Sequence, residues 1–190
     1  MRKAIVEDQT FKGVDFTKEP LEIGEYENCT FNNCNLANAD LSGYGFIDCT
    51  FENCDISMAK LNGTALKTVA FKGCKLMGLQ FGYCSTFLLE FSFDNCLLNI
   101  ASFYNLKIKG TRFTNCNLQE VDFTQADLTA AVFDNCDFNG AVFENTILEK
   151  ADLRSSFHYS LDPEFNHIKK AKFSAAGIIG LLDKYDIVVE

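Results

Sequence analysis

The sequence predicts an all-β solenoid, in which one ribbon coils around an axis and turns a corner every five residues. Three observations predict it: an apolar residue recurs every five positions, the same residue types recur every 20 positions, and Asn or Gly recurs beside the corners. A helix has a period of 3.6 and a flat strand a period of 2.0, so neither produces a repeat of five. The 190 residues suit one domain with a core of its own.

The five-residue period starts at Phe11 and runs without a miss to Phe81. The next step falls on Thr86, but a shift of two residues restores the period at Leu88, and it then continues to Leu153. All 29 positions, which we call the centres, carry Phe, Leu, Ile or Tyr. We expect every centre to point into the solenoid, because a ribbon that turns at each repeat keeps the same position inside.

Four sides of five residues close a square coil of 20 residues, and we expect coils to stack about 4.8 Å apart, as neighbouring strands do. Two ladders recur at this spacing and place the same two-residue insertion within residues 82–87. One ladder consists of Phe11, Phe31, Phe51, Phe71, Phe93, Phe113 and Phe133, and the other of Cys34, Cys54, Cys74, Cys96, Cys116 and Cys136. The sequence therefore predicts about eight coils within residues 1–173.

The positions two residues from each centre have a composition of their own. Two residues before it the side chain is mostly small, and eight of the nine cysteines stand there, which favours core packing over metal binding. The ninth, Cys84, falls off this register, and it is either an exposed, oxidisable thiol or a filler of the insertion. Two residues after the centre, Asn and Gly predict the left-handed backbone of tight turns. They are Asn28, Asn33, Gly43, Asn53, Gly63, Gly73, Asn115, Asn135 and Asn145.

The repeat is irregular over residues 155–165 and resumes before Phe173. Residues 174–190 predict a separate module, with Ser174 as the N-cap of a short α-helix from Ala175 to Lys184. Apolar side chains surround most of this helix, so one coil end cannot cover them all, and a second copy of the chain is the simplest partner. The predicted dimer interface is Ile178, Ile179, Leu181, Leu182 and Tyr185.

Charge is distributed in blocks along the chain, whose net charge is -9. Residues 4–59 hold 11 acidic and two basic residues, residues 60–112 two acidic and seven basic, and residues 113–168 ten acidic and two basic. The acidic excess argues against direct binding of nucleic acid and favours a basic partner surface. The candidate partner-facing acids are Asp122, Asp127, Asp134, Asp137, Glu144, Glu149 and Asp152. They fall on different sides of the square, so the alternative interpretation is that these surface acids only keep the protein soluble.

Other chemistry finds no support in the sequence. We expect no catalytic residue, cofactor or metal site, since the two histidines, His158 and His167, lie in or beside the irregular stretch without a nucleophile partner. No apolar run follows Arg2 and Lys3, and no window approaches 18 apolar residues. A cytoplasmic protein with reduced thiols and no membrane contact is therefore expected.

The segments ANADLSG around Leu41, QADLT around Leu128 and KADLR around Leu153 carry a pattern that resembles the pentapeptide-repeat proteins. The resemblance covers about residues 6–173 and implies a right-handed quadrilateral β-helix. The length, the acidity and the C-terminal module resemble the Qnr/MfpA quinolone-resistance type, although the two long loops of many Qnr proteins are missing. That resemblance implies a homodimer that mimics DNA, binds a type II topoisomerase (DNA gyrase or topoisomerase IV) and thereby confers quinolone resistance. The alternative is a non-catalytic structural or interaction scaffold with an unidentified protein partner.

Overall fold

The computed structural model describes residues 4–188 as a parallel β-helix of square cross-section. Four strands form one sheet in the order β1-β3-β5-β7, and seven form the other in the order β11-β10-β9-β8-β6-β4-β2. The strands are β1 Ala4–Glu7, β2 Thr10–Lys12, β3 Gly24–Glu27, β4 Thr30–Asn32, β5 Gly45–Ile47, β6 Thr50–Glu52, β7 Ala65–Lys67, β8 Val69–Lys72, β9 Phe91–Asp94, β10 Arg112–Thr114 and β11 Val132–Asp134. The predicted all-β solenoid is confirmed. None of the helices within residues 4–188 is long and apolar enough to cross a membrane.

The register between coils is 20 residues, as the sequence predicts. Phe11 pairs with Phe31 and Phe31 with Phe51, and the same file continues through Phe71 and Phe93 to Phe133. Successive rings in this file are stacked with centroids 4.6–5.4 Å apart and planes 9–16° from parallel. The spacing follows from the backbone, because hydrogen-bonded strands lie about 4.8 Å apart and identical side chains must stack at that distance.

The corners are held by left-handed residues and by polar groups that face inward. All nine Asn and Gly positions predicted for this conformation have φ between 51° and 75°. The side chain two residues before most centres points inward into a small slot, and a Cys or Thr there can donate a hydrogen bond to the preceding coil. Cys54 Sγ donates to Phe31 O at 3.3 Å, and Thr64 Oγ1 donates to Leu41 O at 2.7 Å. The nine cysteines are free and buried. Their slot therefore accepts Cys or Thr because each brings a small side chain with a hydrogen to donate.

The insertion lies slightly later than the sequence suggests. The offset of 20 persists to the bridge between Ala65 and Ser85 and becomes 22 where Val69 pairs with Phe91, so the extra residues lie between Ser85 and Phe91. The prediction that Leu88 points inward is wrong, since Leu88 is 65% exposed. The inserted residues loop outward, and a residue of the right type at the right count then no longer faces the core.

Cys84 is not an exposed thiol. It lies 20 residues after Thr64 in the same inward slot and is buried, with only 5% of its surface exposed. Burial raises the pKa of the Cys84 thiol to about 12, which keeps the reactive thiolate scarce at neutral pH. Cys84 leaves the predicted register only because the sequence predicts the insertion within residues 82–87, around it, whereas the extra residues follow Ser85.

Two details at the C-terminal end differ from the prediction. Seven strands in the longer sheet define about seven regular turns, one fewer than the predicted eight, and beyond them single bridges join Val132, Asp152 and Lys172. Short 3-10 helices at Gly177–Leu181 and Asp183–Tyr185 replace the predicted α-helix. Two glycines within the predicted ten-residue span disfavour an α-helix that is already too short to be stable alone.

Tertiary contacts with the last coil select the conformation of this C-terminal segment. Leu161 N donates to Gly180 O at 3.0 Å. A Cβ on Gly180 would overlap the carbonyl oxygen of Tyr159, so only glycine allows this approach. Ser174, the predicted N-cap of the α-helix, lies before the 3-10 helix Gly177–Leu181, and its Oγ accepts a hydrogen bond from Gly177 N at 3.0 Å.

Candidate functional site

The seven candidate acids lie around the whole perimeter. We number the four sides by the centre that each carries in one coil: face 1 through Phe113, face 2 through Leu118, face 3 through Phe123 and face 4 through Leu128. Face 1 holds Asp134 and Asp152, face 2 holds Asp137, face 3 holds Asp122 and Glu144, and face 4 holds Asp127 and Glu149. The acids therefore surround the rod, and they do not form one dedicated face.

Four of these acids also serve the fold. Each aspartate just before a centre accepts a hydrogen bond from the backbone N–H two residues later and so closes the turn at its own side. The distances from the N–H to Oδ1 are 2.9 Å for Asp122, 3.1 Å for Asp127 and Asp137, and 3.3 Å for Asp152. One carboxylate oxygen is thereby committed to the backbone, and the negative charge stays near the surface.

Asp152 has the strongest ionic surroundings of the set. Arg154 donates through Nε to Oδ1 at 2.9 Å and through a terminal nitrogen to Oδ2 at 2.8 Å, and Lys172 lies 3.4 Å from Oδ2. The Arg154 hydrogen bond, partly opposed by burial, lowers the pKa of Asp152 to about 2. Asp152 is therefore ionised at neutral pH, but its charge is largely balanced by its neighbours.

Asp127 and Asp137 are ionised for similar reasons. Burial opposes the charge of Asp127, but hydrogen bonds from Thr129 and from Lys109, whose Nζ lies 3.1 Å from Oδ2, outweigh it and lower its pKa. Burial also opposes the charge of Asp137, and hydrogen bonds from Gln119 at 2.7 Å and His158 at 2.8 Å outweigh it and lower the pKa. His158 contacts this carboxylate on the outside of the coil, so the structure gives it a surface ion-pair geometry.

Asp134, Glu144 and Glu149 stand just after their centres and close no turn. Asp134 accepts a hydrogen bond from Ser155 Oγ at 2.8 Å. No salt bridge engages any of the three within residues 4–188. Asp134 and Glu144 are exposed and Glu149 is half-buried, so these carboxylates are the ones most available to a partner.

The acidic blocks have the linear charge density of DNA. Residues 113–168 make about 2.8 coils of 20 residues, which at about 4.8 Å per coil span about 13 Å of the axis. Ten acids less two bases leave a net charge of -8 there, or one negative charge per about 1.7 Å. Double-stranded DNA carries one negative charge per about 1.7 Å of its axis. Residues 4–59, with 11 acids and two bases, have a similar density.

The basic residues between these blocks also encircle the rod. Lys60 lies on face 3 and Lys75 on face 2, Lys72 and Arg112 lie on face 1, and three more lie on face 4. Those on face 4 are Lys67, Lys107 and Lys109. We call these seven basic residues the basic belt, and face 4 carries the greatest share of them.

The predicted dimer residues divide into two groups. Ile178, Ile179 and Tyr185 are 50%, 47% and 55% exposed. Leu182 is half-buried, and Leu181 packs into the core of its own chain with 8% exposure. The 3-10 turns thus present three of the five predicted side chains to the outside.

An ion-pair network fixes this C-terminal segment to the irregular stretch of the last coil. Lys184 Nζ contacts Asp162 Oδ1 at 2.8 Å and Glu164 Oε2 at 3.0 Å, and the hydrogen bond to Asp162 raises the pKa of Lys184. A groove of about 690 Å³ lies beside these residues, between Phe143 and Phe165. Sequence reasoning missed this network because Lys184 and Asp162 meet only after the tail folds back.

Metal binding finds no geometric support. Among residues 4–188, no group of three or more His, Cys, Asp or Glu side chains is arranged to hold an ion. Most of the thiols face backbone carbonyl groups of neighbouring coils, as Cys49 Sγ faces Tyr26 O at 3.2 Å. The inward cysteines are thus explained by packing and hydrogen bonding.

Comparisons with known proteins place this architecture in a family. A family model described as pentapeptide repeat region matches residues 25–91 and 82–153, which together exceed half of the chain. A comparison with curated protein sequences finds no significant match.

Two solved structures have a similar fold. A trypsin-treated variant of QnrB1, a plasmid-mediated fluoroquinolone resistance protein, matches with a TM-score of 0.50 and 21% identity over 98% of this chain and 100% of that one. HetL from the cyanobacterium Nostoc sp. strain PCC 7120, involved in heterocyst differentiation regulation, matches with a TM-score of 0.61 and 16% identity over 92% of this chain and 86% of that one. At these identities the likeness concerns the fold, and together with the family match it shows that the chain belongs to the pentapeptide-repeat family.

Proposed function

We propose that this protein is a DNA mimic that binds a type II topoisomerase, with DNA gyrase as the primary candidate and topoisomerase IV as the second. The observation that carries the proposal is the charge density of the acidic blocks, about one negative charge per 1.7 Å along a narrow rod. An enzyme that binds DNA presents a basic surface shaped for such a rod. The resemblance to quinolone-resistance proteins, and the shared fold of QnrB1, favour the same enzyme class.

The proposed mechanism is competition for the DNA-binding surface and needs no catalysis by the mimic itself. The rod occupies the surface on which the enzyme would hold a DNA segment, so the enzyme engages less DNA and forms fewer of the cleaved complexes that quinolones stabilise. Quinolone resistance is then a consequence of binding. Because the target acts on DNA inside the cell, the proposal also implies a cytoplasmic protein.

We further propose a homodimer through the exposed part of the C-terminal segment. Ile178, Ile179 and Tyr185 offer an apolar surface that one chain leaves uncovered. Such a dimer would bring the two blocks of residues 113–168 to its centre. Sedimentation should give a dimer mass, and Ile179→Asp should give a folded monomer. A monomeric wild type would reject this part.

The test of the main proposal is gyrase supercoiling with purified protein at low salt. Inhibition at micromolar concentration is expected, together with fewer quinolone-stabilised breaks. Three isosteric changes together, Asp122→Asn, Glu144→Gln and Glu149→Gln, should raise the half-inhibitory concentration roughly tenfold, because they remove charge while Asn keeps the turn-closing hydrogen bond. Absence of inhibition by the wild type would refute the proposal.

The matched control removes charge at the other end of the rod. Glu7→Gln, Glu25→Gln and Glu27→Gln together neutralise three exposed acids of the first acidic block on face 4. If residues 113–168 of the two subunits engage the enzyme, this control should raise the half-inhibitory concentration less than the triple variant does. An equal effect from both would mean that only total charge matters.

The second candidate function is a scaffold for another protein. It is favoured by the fact that four of the seven candidate acids close turns, so their presence has a structural explanation. A tagged wild-type chain that reproducibly retains a protein other than a topoisomerase, and that leaves supercoiling unchanged, would support it.

A further inference from the structure

Face 4 contains a break in the ladder that otherwise holds one coil to the next. Its first part runs through the sheet β1-β3-β5-β7 to the bridge between Ala65 and Ser85, and its second part runs from Lys107 through Asp127 to His167. Within residues 4–188, no bridge or backbone hydrogen bond joins residues 85–90 to residues 107–110. On face 2, by comparison, bridges run without interruption from Asp15 to Phe157.

The break leaves backbone groups without their usual partners. In the next coil, Asp127 N donates to Leu106 O at 2.7 Å. The equivalent bond one coil earlier would join Lys107 N to Cys84 O, and neither group has a backbone partner in the part of the chain described. Lys107 is exposed, and its N–H lacks the bond to the preceding coil, so it is a donor of the kind that pairs with another extended chain.

The cause is the two-residue insertion. Residues 86–88 leave the coil, and Phe87 and Leu88 are 69% and 65% exposed. Leu88 has φ of 55°, a conformation that Leu rarely adopts. A groove of about 540 Å³ lies between residues 89–92 of the departing coil and residues 107–112 of the next.

The surroundings of this groove are basic and apolar together. Lys107 and Arg112 line it and form no ion pair within residues 4–188, while Lys109 is paired with Asp127 at 3.1 Å. Glu90 is the acidic residue of its lining. Beside it, Phe87 stacks under Lys67, whose Nζ is 5.5 Å from the ring centroid. The site thus combines an unpaired amide, two free cations and exposed apolar side chains.

We propose that this groove binds an extended acidic peptide segment of a partner protein. The segment lies along residues 107–112, accepts a hydrogen bond from Lys107 N and donates one of its own N–H groups to Lys107 O, which has no backbone partner within residues 4–188. Its carboxylates pair with the side chains of Lys107 and Arg112, and an apolar residue contacts Phe87 or Leu88. This inference goes beyond the proposed topoisomerase mimicry, because it concerns the basic belt, and an acidic peptide is the charge complement of that belt.

The probe is a fluorescein-labelled hexapeptide of alternating Glu and Val, and the measurement is fluorescence anisotropy with the full chain at low salt. Saturable binding in the micromolar range is expected. The same peptide with alternate backbone N-methyl groups should bind at least fivefold more weakly, since it cannot pair as a strand. A Lys-Val peptide should not bind. Equal binding of the methylated peptide, or no binding of the Glu-Val peptide, would overturn the proposal.

Charge-reversal variants locate the site. Lys107→Glu and Arg112→Glu should each weaken binding about five- to tenfold. Lys60→Glu and Lys75→Glu, which reverse unpaired charges of the same belt on faces 3 and 2, should leave it within twofold. Equal losses at all four positions would show non-specific attraction and overturn the assignment. Tighter binding of a ten-nucleotide single-stranded DNA than of the peptide would overturn it as well.

Discussion

Removing one ring from the middle of the phenylalanine file tests whether stacking between coils stabilises this fold. Phe113 is fully buried and stacks on Phe93 at 5.0 Å and on Phe133 at 4.9 Å. It also meets Phe103 and Phe123 edge to face at 5.8 and 6.2 Å. Phe113→Ala removes contacts with four rings at once, and the rigid backbone on both sides prevents the neighbouring coils from closing the gap.

The expected loss follows from these contacts. Truncating a buried Phe to Ala costs about 3–5 kcal/mol, and the lost aromatic pairs place Phe113 in the upper part of that range. We expect the free energy of unfolding to fall by about 4 kcal/mol. Measured by urea denaturation with a slope of about 2 kcal/mol per molar, this shifts the midpoint by about 2 M. Phe113→Leu should cost less than about 2 kcal/mol, since Leu153 already occupies this file.

Two controls separate the stacking from the loss of a ring in general. Phe11 is at the start of the file, is half-buried and stacks on one ring of the file, Phe31, at 4.8 Å. Phe11→Ala should therefore cost about half as much as Phe113→Ala. Phe157 is 41% exposed, and Phe157→Ala should cost less than about 1 kcal/mol. A loss below about 1 kcal/mol for Phe113→Ala, or equal losses at Phe11 and Phe113, would refute the reasoning.

Two further predictions concern the thiols and the acid limit of stability. All nine cysteines are buried, so a thiol reagent such as Ellman's should label fewer than one per native chain and nine after denaturation, and rapid native labelling of Cys84 would contradict its placement. The pKa of Asp152 falls from 3.8 to about 2 in the folded protein, so its stabilising effect is complete above about pH 4 and is lost as the pH falls towards 2. Arg154→Ala should flatten the fall of the melting temperature in that window, and an unchanged profile would contradict the assigned ion pair.

The repeating part of the fold is predictable because every coil meets the same constraints. A centre must fill the interior, and a residue beside the corner must adopt a left-handed backbone, so Phe, Leu, Asn and Gly recur at fixed positions. The insertion is not predictable in the same way. Thr86 and Leu88 are alternative centres by count, yet the two extra residues let the chain leave the coil and expose both. The apolar side chain of Leu88 would fit inside the coil, but the residue type does not show that the backbone has left the coil at this point.

The candidate site was less predictable than the fold, for two physical reasons. Ion pairs such as Lys109 with Asp127 join different coils, and their formation depends on side-chain rotamers that the sequence does not specify. The C-terminal segment depends on a contact between Gly180 and Tyr159 that exists only after docking. The pattern of apolar residues suggested an α-helix there, whereas the two glycines were the signal for a tighter turn.

The turn-closing role of the aspartates accounts for part of the acidic excess only. Asn35 and Asn117 close equivalent turns, accepting the N–H of Ala37 at 3.1 Å and of Gln119 at 3.0 Å, so the fold requires the side-chain oxygen and not the charge. The turn at positions such as Asp122 therefore does not itself require Asp instead of Asn.

Glutamate strengthens the same argument. Glu144 and Glu149 stand after their centres, where they close no turn, and six of the 11 acids of residues 4–59 are also Glu. The two blocks thus hold more charge than their turns demand, at a density near that of DNA, and they are separated by a belt of opposite sign. Solubility alone explains neither the blocks nor the belt, because scattered charges of either sign would serve it equally well. The excess acids therefore support the proposal of a basic partner surface for the blocks, and the belt supports the separate proposal of an acidic peptide.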